Sequence, residues 1–177
     1  MSFAGIGYDS HRLAKGRRLI LGGVEIPGGE LGLEGHSDAD VLTHAVIDAL
    51  LGAAGLGDIG EHFPDTDERY RDAESIELLE DVVGMVGAAG LRIVNVDCTV
   101  VMERPKLGPH REEIRSLLAR VLGLDENLLN VKATTGEGIG FVGRGEGVAA
   151  LAIASLEEVS AGEQAGNGPT KGSGRAR

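Results

Sequence analysis

A chain of 177 residues suits one domain, and 42% apolar residues are enough for a core, so a wholly disordered protein is excluded. A formal net charge of −11 argues against nucleic acid and anionic membranes as partners, although bound cations would still let a small anion approach. The single cysteine, Cys98, excludes an intrachain disulfide; no apolar run reaches the ~18 residues of a membrane span, and MSFAGIGYDSHRL lacks the pattern of a signal peptide, so a cytoplasmic protein is expected.

Aromatic residues make up 3% with no Trp, so the core has to be built from Leu, Val, Ile and Ala, and 29 glycines imply tight turns or close backbone approaches. GIGYDSHRL reads as a first strand. RRLILGGVEIPGG places two short apolar runs around Gly22-Gly23, which predicts a hairpin. Ser37 or Asp38 can cap a helix from about Asp38 to Ala54, in which Val41, Leu42, Ala45, Val46, Ala49 and Leu50 recur at helical spacing. FPDTDERYRDAES is a polar loop. Ile76, Leu79, Val82, Val83 and Val86 define a second helix from Glu74 to Ala89, closed by Gly90. LRIVNVDCTVVM is a long β-branched strand, and Pro109 opens a third helix running to about Leu122. LLNVKAT is a strand, TTGEGIGFVGRGEG a Gly-rich loop, and GVAALAIASLEEV a closing strand. Residues 160–177 have almost no large apolar side chain and predict a disordered tail behind a domain of residues 1–159. Strands and helices interleave, which gives α/β or α+β architecture: one sheet of about four main strands with helices over one face, plus the small hairpin.

The chemistry-bearing residues cluster in a few places. In GYDSHRL, Asp9 and His11 are two apart, and on a strand they point to one face. Taken alone, a solvent-facing polar pair on an edge strand is the commoner arrangement. In HSDADVLTHAVID, the proposed helix puts Asp40, His44 and Asp48 on one stripe, with His36 and Ser37 just before its start, where free N–H groups favour an anion. His44 sits near the apolar boundary and needs a partner. Asp9, His11 and His44 make a three-ligand set, and three protein ligands with an open fourth position describe a catalytic zinc site rather than a structural one. GLGDIGEHFPDTD carries Asp58, Asp65 and Asp67 beside glycines, either plain turns or carboxylates for a polyol. His62 reads as a surface residue. Lys106, in RPKLGPH, can meet a phosphate or a nucleotide. KATTGEGIGFVGRGEG fails both the Walker A and the Rossmann spacing and opens no evident helix, but Thr134, Thr135 and Glu137 can cradle a phosphate or bind Mg²⁺. Cys98 reads as core, and no protein nucleophile is evident.

GYDSHRL, EGHSDADVLTHAVIDALLGAAGLGDIGEHFPDTD, RPKLGPH and VKATTGEGIGFVGRGEG together resemble 2-C-methyl-D-erythritol 2,4-cyclodiphosphate synthases, over about residues 3 to 158. The resemblance implies that a 2-phosphate attacks a β-phosphate within one cytidine-linked substrate and releases CMP. It implies a divalent ion, usually zinc, on Asp9, His11 and His44, and a second ion, Mg²⁺ or Mn²⁺, on Glu137. His36 and Thr135 would stabilise the transition state, with Ser37 beside His36 on phosphate. Asp58, Gly60, Phe63 and Asp65 would face the erythritol, with Ser10, Ile59, Pro64, Thr66 and Asp67 also near substrate. Lys106, Leu107 and Gly108 with Thr134 and Thr135 would form a cytidine pocket across a subunit boundary. Gly136, Phe141 and Arg144 complete the substrate-binding set; Gly136 stands where a larger polar residue would also fit, and Arg144 lies near a central cavity. The implied assembly is a homotrimer with sheets facing the threefold axis. A catalytically silent trimeric binder of nucleotide or isoprenoid diphosphates is the alternative, and a pure binder has no need of a metal with an open position.

Overall fold

In the computed structural model, residues 1–28 and 30–159 are described; the expected tail at 160–177 lies outside them. The elements in chain order are β1 (Ser2–Lys15), β2 (Ile20–Leu21), β3 (Val24–Glu25), β4 (Leu31–Leu33), α1 (Val41–Ala54), α2 (Ile59–His62), α3 (Ser75–Ala88), β5 (Leu91–Val101), α4 (Arg111–Leu122), β6 (Leu129–Thr134), α5 (Gly140–Gly143) and β7 (Gly147–Glu158). The sheet order is β4-β1-β7-β5-β6. Four strands are long, as expected; the fifth, three-residue β4, was too short to announce itself by alternation. Antiparallel pairing joins β1 to β7 and β7 to β5, while β6 runs parallel to β5. The closing segment GVAALAIASLEEV is a strand, and β2-β3 form the small hairpin, with Gly22 and Gly23 both at positive φ as its turn demands. No helix among the described residues is long and apolar enough to cross a membrane.

One face of the sheet carries α1, α3 and α4 around a core of Leu, Val, Ile and Ala. Two glycines set how closely α1 lies. A Cβ at Gly7 would stand 1.9 Å from the Ala45 carbonyl oxygen, and one at Gly5 2.2 Å from that of Ala49. Glycine on the strand and alanine on the helix therefore bring the two backbones together. The same strand face continues from Gly5 and Gly7 to Asp9 and His11, so this contact delivers α1 to the cluster described below. β1 pairs with β7 along Ser2–Arg12 and with β4 only at Leu13–Lys15, so Asp9 and His11 have a strand partner on one side, and α1 covers the face to which they point.

Three expectations need correction. First, α1 starts at Val41, and its N-cap is Asp40 rather than Ser37 or Asp38. Asp40 is fully buried and accepts from Gly22 N (2.9 Å), Gly23 N (2.7 Å), Leu42 N (3.1 Å), Thr43 N (3.0 Å) and Thr43 Oγ1 (2.7 Å). It ties the hairpin to the helix and is not on a stripe with His44 and Asp48. Burial pushes its carboxyl above the usual range, with the charge of Asp38 adding, despite these bonds. Second, the segment after α1 holds helix α2, capped by Asp58, and a 3₁₀ turn at Glu68–Tyr70, capped by Asp67. Third, the Gly-rich loop contains the single turn α5. It also has no room for a larger residue at Gly136, where a Cβ would lie 2.7 Å from Gly143 N and 3.0 Å from the Ile139 oxygen.

Candidate metal centre and pocket

Asp9 and His11 from β1 meet His44 from the first turns of α1. Asp9 Oδ2 lies 2.9 Å from His44 Nδ1 and 3.0 Å from His11 Nε2, and the two nitrogens are 3.3 Å apart. This is the one cluster of metal-ligand type among the described residues. The donor atoms fit an ion: a tetrahedral zinc with bonds of about 2.0–2.1 Å separates its ligand atoms by about 3.3 Å. Two imidazoles with one carboxylate also suit that ion chemically. The orientation of His11 agrees. Its Nδ1–H donates to the Glu34 carbonyl oxygen at 2.8 Å, which leaves the Nε2 lone pair facing the cluster. His44 Nε2 faces the Ser75 hydroxyl at 2.8 Å.

Burial opposes the Asp9 carboxylate, but without an ion the facing nitrogens of His11 and His44, whenever they carry hydrogen, bond to it and, with their charge, outweigh burial and hold the carboxyl well below its usual range; an ion would take those nitrogens' lone pairs instead. Burial likewise opposes the His11 imidazolium, and the Asp9 hydrogen bond and charge overturn that, so His11 titrates above its ordinary value.

The cluster lines a cavity of about 490 Å³. Gly35, His36 and Ser37 form one wall; Ile59, Gly60, Phe63, Pro64 and Asp65 form the other; Asp48, Tyr70 and Leu78 close it. Ten of the sequence-predicted residues are therefore brought together: Asp9, His11, His36, Ser37, His44, Ile59, Gly60, Phe63, Pro64 and Asp65. His36 Nε2–H donates to the Asp67 carbonyl oxygen at 3.3 Å, leaving Nδ1 free. At the helix start Asp40 takes Leu42 N and Thr43 N, so those two donors are not turned to the cavity.

Several predicted residues do other work in the single chain. Asp58 accepts from Glu61 N at 3.0 Å and starts α2. Asp67 pairs with Arg69 through Nε and NH2, at 2.9 and 2.6 Å, which lowers its carboxyl below the usual range. Thr66 does not line the cavity. Ser10 points to the opposite side of β1 and lines a second cavity with Phe141 and Glu146. Arg144 is engaged with Glu146 at 2.8 and 3.0 Å. His62 donates to the Leu56 oxygen at 2.7 Å, so it fastens a loop. Cys98 is buried, and burial pushes its thiol up to about 12, which excludes it as a nucleophile.

Lys106, Thr134, Thr135 and Glu137 lie elsewhere. Register places His11 opposite Val148, Ala149 opposite Val101, and Val101 opposite Thr134. That is three strand spacings, about 14 Å across one end of the sheet. Lys106 lines a separate cavity with Leu13, Leu31, Glu103 and Arg104; Leu107 is buried beside it, with Gly108 starting a 3₁₀ turn. Thr135 Oγ1 donates to Glu137 Oε1 at 2.6 Å, and Gly136 N to Glu103 Oε1 at 2.8 Å.

Sequence reasoning missed Ser75, Tyr70, Gly35 and Leu78 as neighbours of the site, and placed Asp48 only on a stripe. Tyr70 stands edge-on to Phe63, with centroids 5.4 Å apart. Nothing local marks such residues; they arrive through the packing of distant segments.

Comparison with known proteins shows the family. The pattern of the YgbB family matches residues 3–157, and the chain belongs to that family. It is 56% identical over 154 residues to the 2-C-methyl-D-erythritol 2,4-cyclodiphosphate synthase of Syntrophomonas wolfei, covering 87% of this chain and 98% of that one. It is 58% identical over 155 residues to the bifunctional enzyme IspD/IspF of Anaeromyxobacter sp., covering 88% of this chain but spanning only 40% of that protein. A solved 2C-methyl-D-erythritol-2,4-cyclodiphosphate synthase in a CDP-bound form superposes with a TM-score of 0.80 at 40% identity, over 87% of this chain and 99% of that one.

Proposed function

We propose that this chain converts 4-diphosphocytidyl-2-C-methyl-D-erythritol 2-phosphate to 2-C-methyl-D-erythritol 2,4-cyclodiphosphate and CMP, a step of non-mevalonate isoprenoid synthesis. The observation that carries the proposal is the convergence of Asp9, His11 and His44 at the cavity wall, in a chain of this family. An oxygen of the 2-phosphate forms a bond to the β-phosphorus. The bond from that phosphorus to the oxygen bridging to the α-phosphate breaks, and CMP leaves with the electron pair.

Asp9, His11 and His44 would hold a divalent ion, with zinc the choice that fits their donor set. Such an ion would supply Lewis-acid polarisation of a phosphoryl oxygen. His36 and Ser37 orient phosphate from one wall. Asp65, the Gly60 backbone and Phe63 hold the erythritol from the other, with Asp58 fixing that wall. Lys106 offsets the charge of the diphosphate, Thr135 steadies the developing charge, and Glu137 binds Mg²⁺ or Mn²⁺. Thr134 and the 102–108 loop receive the cytidine. Attack within one molecule needs little beyond correct placement, which is consistent with the lack of a protein nucleophile.

Thr135, Glu137 and Lys106 reach this chemistry from a neighbouring subunit of a homotrimer. The support is an apolar patch on the sheet face opposite the helices: Ile6 pairs with Ile153 and Tyr8 with Leu151, and all four are exposed. Such a patch calls for a protein partner, and copies of the same chain in closed symmetry are the simplest one. Phosphorus NMR of the product tests the reaction: a cyclic diphosphate with one CMP per turnover is expected, and an open-chain phosphate would end the cyclase reading. Light scattering in solution is expected to give three times the chain mass.

A further inference from the structure

Ser75 and Asp38 have no part in the reaction as proposed, yet they form a dense polar knot behind the metal ligands. Ser75 opens α3 and is fully buried. Its hydroxyl faces His44 Nε2 at 2.8 Å and donates to Asp38 Oδ1; its backbone N–H donates to Asp38 Oδ2 at 3.0 Å. Asp38 Oδ1 also accepts from Asp40 N at 3.2 Å. Alongside, Asp38 N donates to the Ala73 oxygen at 3.1 Å and Asp72 N to the His36 oxygen at 2.9 Å, so segments 36–38 and 72–75 are clipped together.

The direction of the chain follows from counting protons. Asp38 takes three donors on two oxygens and acts only as an acceptor. A serine hydroxyl has one hydrogen, and it goes to Asp38. The Ser75 oxygen can then only accept from His44, so Nε2 must carry a hydrogen. In the neutral imidazole this leaves the lone pair on Nδ1, the atom 2.9 Å from Asp9 Oδ2 and 3.3 Å from His11 Nε2. Ser37 Oγ, at 3.4 Å from the same Nε2, is the weaker partner.

We infer that Asp38 and Ser75 are positioning residues for His44: through the chain Asp38–Ser75–His44 they fix its ring and tautomer so that Nδ1 is presented as a ligand. The inference rests on the metal-site reading. It also couples the ligand to the segment that carries His36 and Ser37, so loading the centre and ordering the phosphate wall become one event.

The test measures zinc affinity by chelator competition and the His44 Nε2 hydrogen by ¹H–¹⁵N NMR. The wild-type protein is expected to show that hydrogen in slow exchange. Ser75→Ala should lose it and bind zinc on the order of 10–100-fold more weakly. Asp38→Asn keeps the shape but offers one oxygen to three donors; it should weaken zinc to a similar degree and decides the matter if Ser75→Ala does not fold. Wild-type zinc affinity in both variants, or a wild-type His44 without hydrogen on Nε2, overturns the inference. If the wild-type chain takes up no zinc, the metal-site reading fails, and the Nε2 hydrogen alone decides: present in wild type and lost in Ser75→Ala, it upholds the positioning chain; otherwise it overturns it.

Discussion

The pocket between β1 and α1 and the loops at 102–108 and 134–137 lie at one end of the same sheet, but only the first brings its groups together within the chain. In the pocket, the donor atoms of Asp9, His11 and His44 are within 3.3 Å of one another, and each histidine is held from behind by a second hydrogen bond. In the loops, Lys106 and Glu137 are exposed, and Glu137 has a positive φ (51°) that only a constrained turn tolerates. The difference teaches where the precision has to be. Ligands to an ion must be placed to within tenths of an ångström, and the close packing of α1 on β1 achieves this inside one chain. On the proposed reading, groups that meet a large anionic substrate would wait on loops until a neighbouring subunit supplies the other half.

The sharpest way to break the preorganised half is to remove His44. His44→Ala should abolish CMP release, by on the order of 10³-fold or more, and abolish stoichiometric zinc. Metal analysis beside an activity assay checks this, and full activity would sink the assignment of the site. Next in size is Asp40→Ala. It leaves four backbone N–H groups and a threonine hydroxyl without their buried acceptor, so a loss on the order of 3–5 kcal/mol is expected, read by urea unfolding. Asp40→Asn, with one oxygen kept, should lose less. A nearly neutral Asp40→Ala would mean that the hairpin is not fastened to α1 in the way described.

Much of the preorganised half was legible in the sequence. A period of two aims Asp9 and His11 together, and helical spacing puts His44 where it can join them. The hairpin, the long strands and helices α1, α3 and α4 were legible for the same reason: their apolar periodicity matches their environment. The helix start was misjudged because Ser37 and Asp38 are cap-forming residues standing just before Asp40, and only the hairpin's need for an acceptor selects Asp40. Ser75, Tyr70 and Asp48 stayed hidden for a related reason. Their roles come from contacts between distant segments, and no local pattern encodes such contacts.

The open half is probed through its acid. Glu137→Gln should bind zinc as the wild type does yet respond about 10-fold less to added Mg²⁺, since it loses a charged ligand to the second ion. An unchanged Mg²⁺ dependence would show the assignment to be wrong. The two halves can also be tested against each other. If they meet across subunits, co-refolding His44→Ala with Glu137→Gln in equal amounts restores up to about a quarter of wild-type activity, because random mixing leaves that share of interfaces intact. No recovery above the separate variants would place both halves in one chain.

The smallest expected effect concerns Asp48, on the cavity wall one turn beyond His44. Burial raises its carboxyl above the usual range, outweighing its hydrogen bond from Ile59 N at 2.8 Å, and the charges of Asp58 and Asp9 add to the shift. A raised acid is bound more tightly to its proton in the folded state than in the unfolded one. Its contribution therefore turns unfavourable as pH rises from the ordinary aspartate value through the raised one, and the cost persists at neutral pH. Asp48→Asn removes the charge while its amide oxygen can still accept from Ile59 N. In metal-free protein it should stabilise the fold at pH 7 by less than about 1 kcal/mol, since the group is half exposed to solvent screening. The gain should vanish at acid pH, where the wild-type carboxyl is protonated in both states. Urea unfolding at the two pH values checks the sign. A variant less stable than wild type at pH 7 would mean that the negative charge is wanted there, and Asp48 would then belong with the cation-holding groups rather than with the wall.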